Sequence, residues 1–102
     1  MPTNGKHHNL LAVPNPKFEL GRVVITANAQ EQLVAEDIPK ALARHGQGDW
    51  GDVCEHDRKE NDLSLEKGYR LHSVYYDSNK TKFWIITEAD RSSTCVLLPE
   101  DY

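Results

Sequence analysis

Apolar and polar positions sort the chain into a loose start, a helical middle and a strand-rich end. Residues 1–16, MPTNGKHHNLLAVPNP, mix Pro and Asn without sustained periodicity and read as a flexible N-terminal tail. The run KFELGRVVIT over 17–26 alternates, first Phe18 and Leu20, then Val23 and Ile25, with Gly21 shifting the phase as a bulge does. Asn28, followed by Glu31 three positions on, has the form of a helix start and predicts a short helix over 29–35. Pro39 is unsuited to a helix interior, so a second helix begins separately. It takes Asp37 as N-cap, runs through Ile38, Ala41, Leu42 and His45, and stops at Gly46.

The loop GQGDWG follows, and Asp52 with Glu55 repeats the capping-box spacing to open a polar helix that runs to Lys67 and closes on Gly68. Its apolar anchors are few, Val53, Leu63 and Leu65, so it lies on the surface or its polar face meets something. Three strand-like runs then come in succession: YRLHSVYY, TKFWIIT and STCVLL. Tyr69, Leu71, Ser73 and Tyr75 share one face of the first, with Arg70, His72, Val74 and Tyr76 on the other. In the second, Phe83, Ile85 and Thr87 oppose Trp84, Ile86 and Glu88. One strand, two to three helices and an antiparallel meander make an α+β domain over 17–102, with the helices packed on one sheet face.

At 102 residues this is one small domain, and no apolar run approaches the ~20 residues of a membrane span. The start carries no basic segment followed by an apolar stretch, so no export signal is expected. Net charge is −4 and the acidic excess lies in the second half. A nucleic-acid binder shows a basic face, and the summed field here has the opposite sign, although Arg44, Arg58, Lys59, Arg70, Lys80, Lys82 and Arg91 could converge locally. Two cysteines, Cys54 and Cys95, are too few to staple a secreted fold and read as reduced thiols, which points to the cytoplasm.

The segments RHGQGDWGDVCEHDRKEND and KFWIITEADRSSTCVLLPEDY resemble a group of small proteins carried on bacterial plasmids and integrated elements. Those share a strand, an RHxxGDWG turn, an EDxxEN helix and the string IWIITEADRSxTxxLLPEEY. The resemblance covers residues 17–102. It implies a bacterial mobile element and a cytoplasmic setting, and it implies no mechanism. Some members carry a restriction-methylation label, which this sequence does not support: it has neither an Asn-Pro-Pro-aromatic motif nor a Gly-rich cofactor loop. At the level of fold, the order β-α-α-β-β-β is similar to the RelE and barnase-like ribonucleases, and fold analogy alone does not establish activity.

Metal-independent RNA cleavage needs a base, an acid and a cation for the phosphorane. The candidates are His45 and His72 for proton transfer, Arg91 (with Arg44) for the phosphate, and Thr94, Ser92 or Tyr75 as further donors. Each has a plainer reading: His45 caps a helix end, and Asp90 with Arg91 fixes a turn. In GDWGD, Trp50 is either an exposed anchor or a plug in the helix–sheet interface, with Asp49 and Asp52 capping. Cys54 and His56 stand about 200° apart around a helix, so no metal site is indicated, and no cofactor motif occurs. The acidic helix (Asp52, Glu55, Asp57, Glu60, Asp62, Glu66) either mimics a phosphate track or is a solvated face.

The first expectation is therefore a non-enzymatic accessory protein. It binds an unidentified protein or nucleic-acid partner through Arg44, Asp49, Trp50, Asp52, Asp90 and Arg91. The alternative is a toxin-type ribonuclease using His45, His72, Arg91 and Thr94. A homodimer whose second surface completes the fold is a third reading.

Overall fold

The computed structural model describes residues 13–102. The tail and its His7-His8 pair lie outside the described residues up to position 12. From Val13 onward the chain runs beside the end of the second helix: a Cβ at Gly46 would collide with Val13, and Gln47 Nε2 donates to the Pro14 carbonyl at 2.8 Å.

The elements are β1 (Arg22–Ile25), α1 (Ala27–Gln32), α2 (Asp37–Gly46), α3 (Glu55–Lys67), β2 (Leu71–Tyr76), β3 (Lys82–Thr87) and β4 (Ser93–Leu97), followed by a 3₁₀ turn, Pro99–Asp101. The fold is α+β, as the pattern predicts. The sheet is mixed, in the order β1-β4-β3-β2. β2, β3 and β4 form the expected antiparallel meander, and β1 adds in parallel to β4, pairing Val23 with Thr94 and Ile25 with Val96.

The boundaries differ from the sequence reading in ways with local causes. β1 begins only at Arg22, because Gly21 takes φ +65° and turns the chain so closely that a Cβ there would lie 2.3 Å from the Ser92 carbonyl oxygen. Phe18 therefore leaves the strand. α1 starts two residues earlier than expected, with Thr26 as its N-cap in place of Asn28; the Thr26 hydroxyl accepts the Ala29 amide at 3.0 Å. Asp37 is the first helical residue of α2 and not its cap. Its carboxylate instead accepts the Ser78 amide and hydroxyl at 2.7 and 2.8 Å, tying the β2–β3 turn to α2. The spacing of Asp52 and Glu55 does not build a capping box, since the N-cap of α3 is Cys54. Gly68 closes α3 in the left-handed conformation, as expected.

Alternation in the strands gives the sheet two different faces. Ala29 and Leu33 of α1 and Ile38, Ala41 and Leu42 of α2 pack on Tyr75, Phe83, Ile85 and Val96, and this is the core. The opposite face carries His72, Val74, Trp84, Ile86, Cys95 and Leu97 by register. Only α1 and α2 obey the expectation of helices on one face. α3 lies along the β2 edge and borders the opposite face.

Candidate functional site

The residues proposed for catalysis do come near one another, but in a closed interior. His45 has no exposed surface. Its Nδ1 meets Ser73 Oγ at 2.6 Å and its Nε2 meets Thr87 Oγ1 at 2.9 Å. Thr87 Oγ1 lies 2.7 Å from Thr94 Oγ1, and Thr94 donates to the Leu20 carbonyl at 2.6 Å. Counting protons fixes the whole chain. The single Thr94 proton goes to Leu20, so Thr87 donates to Thr94 and must accept from His45 Nε2–H. Nδ1 is then the acceptor, and the Ser73 hydroxyl donates to it. Burial, with the positive fields of His72 and Arg91, pushes the imidazole down to about 3. A base of that pKa, with its one lone pair already used, is poorly matched to proton transfer near neutrality.

Around this network sits an aromatic plug. Trp50 is 1% exposed, lies 5.7 Å from the His45 ring and stacks on Phe18 at 6.3 Å. Of the two readings weighed for Trp50, the geometry is that of the plug. Arg91 lies over the far side of this group, 5.6 Å from the Phe18 ring. Its guanidinium is committed to carbonyls: Tyr69 at 2.6 Å, Glu88 at 3.1 Å and, from Nη2, Ser64 at 3.0 Å. It adopts φ +62°, and Asp90 closes the same turn by accepting the Ser92 amide at 3.0 Å. Arg44 lies elsewhere, gripping Asp49 with two bonds of 2.7 and 3.2 Å and stacking over Tyr75 at 4.8 Å. That ion pair holds the Asp49 carboxyl below the usual carboxylate range. His45, Thr94 and Arg91 thus share a neighbourhood. Arg44 does not join them, and the neighbourhood is not an open basic pocket.

The strings that stood out in the sequence converge on one task, which is holding α3. From GDWGD, Trp50 Nε1 donates to Asp62 at 2.9 Å. Gly51, at φ +77°, brings the loop so close to β2 that a Cβ would sit 2.0 Å from the Val74 carbonyl oxygen. This lets Val74 N–H donate to Trp50 and Asp52 N–H donate to Val74, at 3.0 and 2.7 Å. From EADRSS, Arg91 caps Ser64 near the end of α3. Between these, Asn61 places its amide on the β2 edge like a short strand: Nδ2 donates to the His72 carbonyl at 2.8 Å and Oδ1 accepts the His72 amide at 3.1 Å. Asn61 and Ser64 are the buried residues of α3, while Leu63 is 43% exposed. The fully buried contacts of the helix are thus hydrogen-bonded ones, and of the apolar anchors the sequence suggested Leu63 is exposed while Val53 and Leu65 are only half-buried.

Between α3 and the second sheet face runs a groove of about 710 Å³. The loop and helix line it with Asp52, Val53, Cys54, His56, Asp57, Glu60, Asn61 and Ser64, and the strands line it with Arg70, His72, Val74, Lys82 and Trp84. Among the described residues, the ion pairs are Arg44–Asp49, Arg58–Glu55 and Arg70–Glu88, so Asp52, Asp57 and Glu60 face the groove without a cationic partner. His72 packs edge-on against Trp84 at 4.5 Å, and Trp84 against Tyr102 at 5.7 Å. The His72 Nε2 is out of solvent with no hydrogen-bond partner. Burial and the Arg70 charge lower the His72 pKa, with Asp57 opposing, and the ring is neutral at pH 7.

Of the residues the sequence raised, the groove collects Asp52 and His72, together with Asp57 and Glu60 of the acidic helix and Arg70 and Lys82 of the basic set. Trp84 and Asn61 were not singled out, because each is ordinary in its own strand or helix and gains its role only when α3 meets β2. A comparison with protein-family models, curated proteins and solved structures finds no match for the chain. Among the described residues, no helix is long and apolar enough to cross a membrane.

Proposed function

We propose that this protein is a non-enzymatic binding module, a cytoplasmic accessory protein of a bacterial mobile element, that docks a partner protein on α3 and the groove beside it. The setting follows from the resemblance carried by RHGQGDWG and WIITEADRSSTCVLLPEDY. The binding reading rests on one observation: a polar helix is fixed by side-chain bonds to the GDWGD loop, the EADRSS turn and the β2 edge while its carboxylates stay exposed. A solvated helix that only covered an edge would not require that much anchoring, nor leave a groove with an aromatic floor beside it.

The closed surroundings of His45 and the carbonyl-bound guanidinium of Arg91 favour this reading over the ribonuclease one. The test is induction in a bacterial host with total RNA followed over time, wild type beside Arg91→Ala. Undisturbed growth and intact RNA are expected for both. Growth arrest with RNA cleavage by the wild type alone would overturn the proposal and make Arg91 part of a catalytic site.

A further inference from the structure

Twice in this chain an arginine is held between a carboxylate and an aromatic ring. Arg44 donates to Asp49 at 2.7 Å while its guanidinium lies 4.8 Å from the Tyr75 ring centre. Arg70 faces Glu88 at 3.5 Å and lies 5.5 Å from the Tyr102 ring centre. The groove presents the other two components of the same arrangement: Asp57 and Glu60 on α3, and Trp84 on the sheet. We propose that the groove takes an arginine side chain from an extended segment of the partner protein, a reading that rests on the binding-module function above.

Guanidinium fits better than ammonium for two reasons. Its planar fork matches paired carboxylates, and its flat face stacks on indole, the strongest of the aromatic partners for a cation. The neutral His72 beside Trp84 adds no repulsion. Across the groove the strand side presents two exposed cations: Arg70 is paired with Glu88, and Lys82 has no acidic partner among the described residues. Successive side chains of an extended segment point in opposite directions. A neighbouring Asp or Glu in the partner therefore reaches Lys82 while the arginine reaches α3. The ligand class is an extended peptide with adjacent arginine and acidic residues. A phosphate-rich strand fits worse, because Asp52, Asp57 and Glu60 repel it.

His72 supplies an internal check. An orphaned ring nitrogen costs stability, and such costs persist where a surface serves binding. His72→Phe keeps the ring and removes the orphan. It should unfold at an equal or higher denaturant concentration than wild type while binding the peptide less well.

The experiment is an NMR titration of the ¹⁵N-labelled full chain with a blocked peptide, Gly-Ser-Arg-Glu-Ser-Gly. Two control peptides carry citrulline or lysine at the arginine position. Expected are shifts of the Trp84 indole N–H and of the Asp57 and Glu60 amides. Affinity should fall at least tenfold with citrulline, severalfold with lysine, and at least fivefold in the exposed-site variant Asp57→Asn/Glu60→Gln, which leaves the fold intact. Equal binding of the citrulline peptide, no shift at millimolar peptide, or tighter binding of a decathymidine strand at the same residues would overturn the arginine assignment. Any of the first two results leaves the binding-module reading to its own growth and RNA test.

Discussion

A single histidine shows how far this small core depends on hydrogen bonding. His45 is buried without a charge partner, and Ser73, Thr87 and Thr94 leave room for only one tautomer. Below its ordinary 6.5 the unfolded chain takes up a proton that folded His45 refuses until about 3. Stability is therefore complete above pH 6.5 and falls as pH drops through that window. At pH 5 the loss from this residue is about 2 kcal/mol, and His72 adds to it in the same direction. Urea unfolding at pH 7 and pH 5 measures the loss. The His45 Cε1–H resonance should stay at its neutral position across that range, and titration near 6.5 would refute the buried network. For Trp50, replacement by Ala should cost about 3–5 kcal/mol, and by Phe less, through the lost bond to Asp62. The sequence named both residues. It could not tell a plug from an anchor, because a Trp between two glycines fits either, and what decides it is the packing of His45 and of Phe18, the latter distant in sequence.

The elements divide by what fixed them. β2 and β3 were legible residue by residue, since period-2 alternation is imposed by the two faces of the sheet, and Leu71, Ser73, Tyr75, Phe83, Ile85 and Thr87 all turn toward the core as the pattern requires. The existence of α3 was legible too, and its left-handed stop at Gly68. Its position was not. Helix docking is read from an apolar stripe, and α3 has none; its inner face is Asn61 and Ser64. The Asn61 amide replaces a strand on the β2 edge, so Asn61→Ala leaves the His72 amide and carbonyl without their partner. A loss of about 2 kcal/mol is expected in urea unfolding. Faster amide exchange should be confined to α3 and the β2 edge, with α1, α2, β3 and β4 unchanged. Uniform loosening of the whole chain would show that α3 is held by something other than this pair. The parallel addition of β1 to β4 was likewise hidden, because a four-residue strand carries no signal of its partner's direction.

At the scale of the molecule, a net charge of −4 argued against nucleic acid but said nothing about where the charge acts. The fold resolves it into an acidic helix facing Arg70 and Lys82 across a groove floored by Trp84 and His72. Two of the strings that looked functional in the sequence, GDWGD and EADRSS, turn out to hold that helix in place. Their distinctiveness reflects the geometry of attachment, Gly51 against Val74 above all. The groove itself is assembled from residues that are unremarkable one by one. The most direct measurement is photo-crosslinking in a bacterial host, with a photoreactive residue at Glu60 in the groove and, separately, at Gln30 on the exposed side of α1. A discrete protein adduct from position 60 and none from position 30 is the result this account predicts. An absence of adduct at 60, equal adducts from both positions, or an adduct that nuclease removes would contradict it.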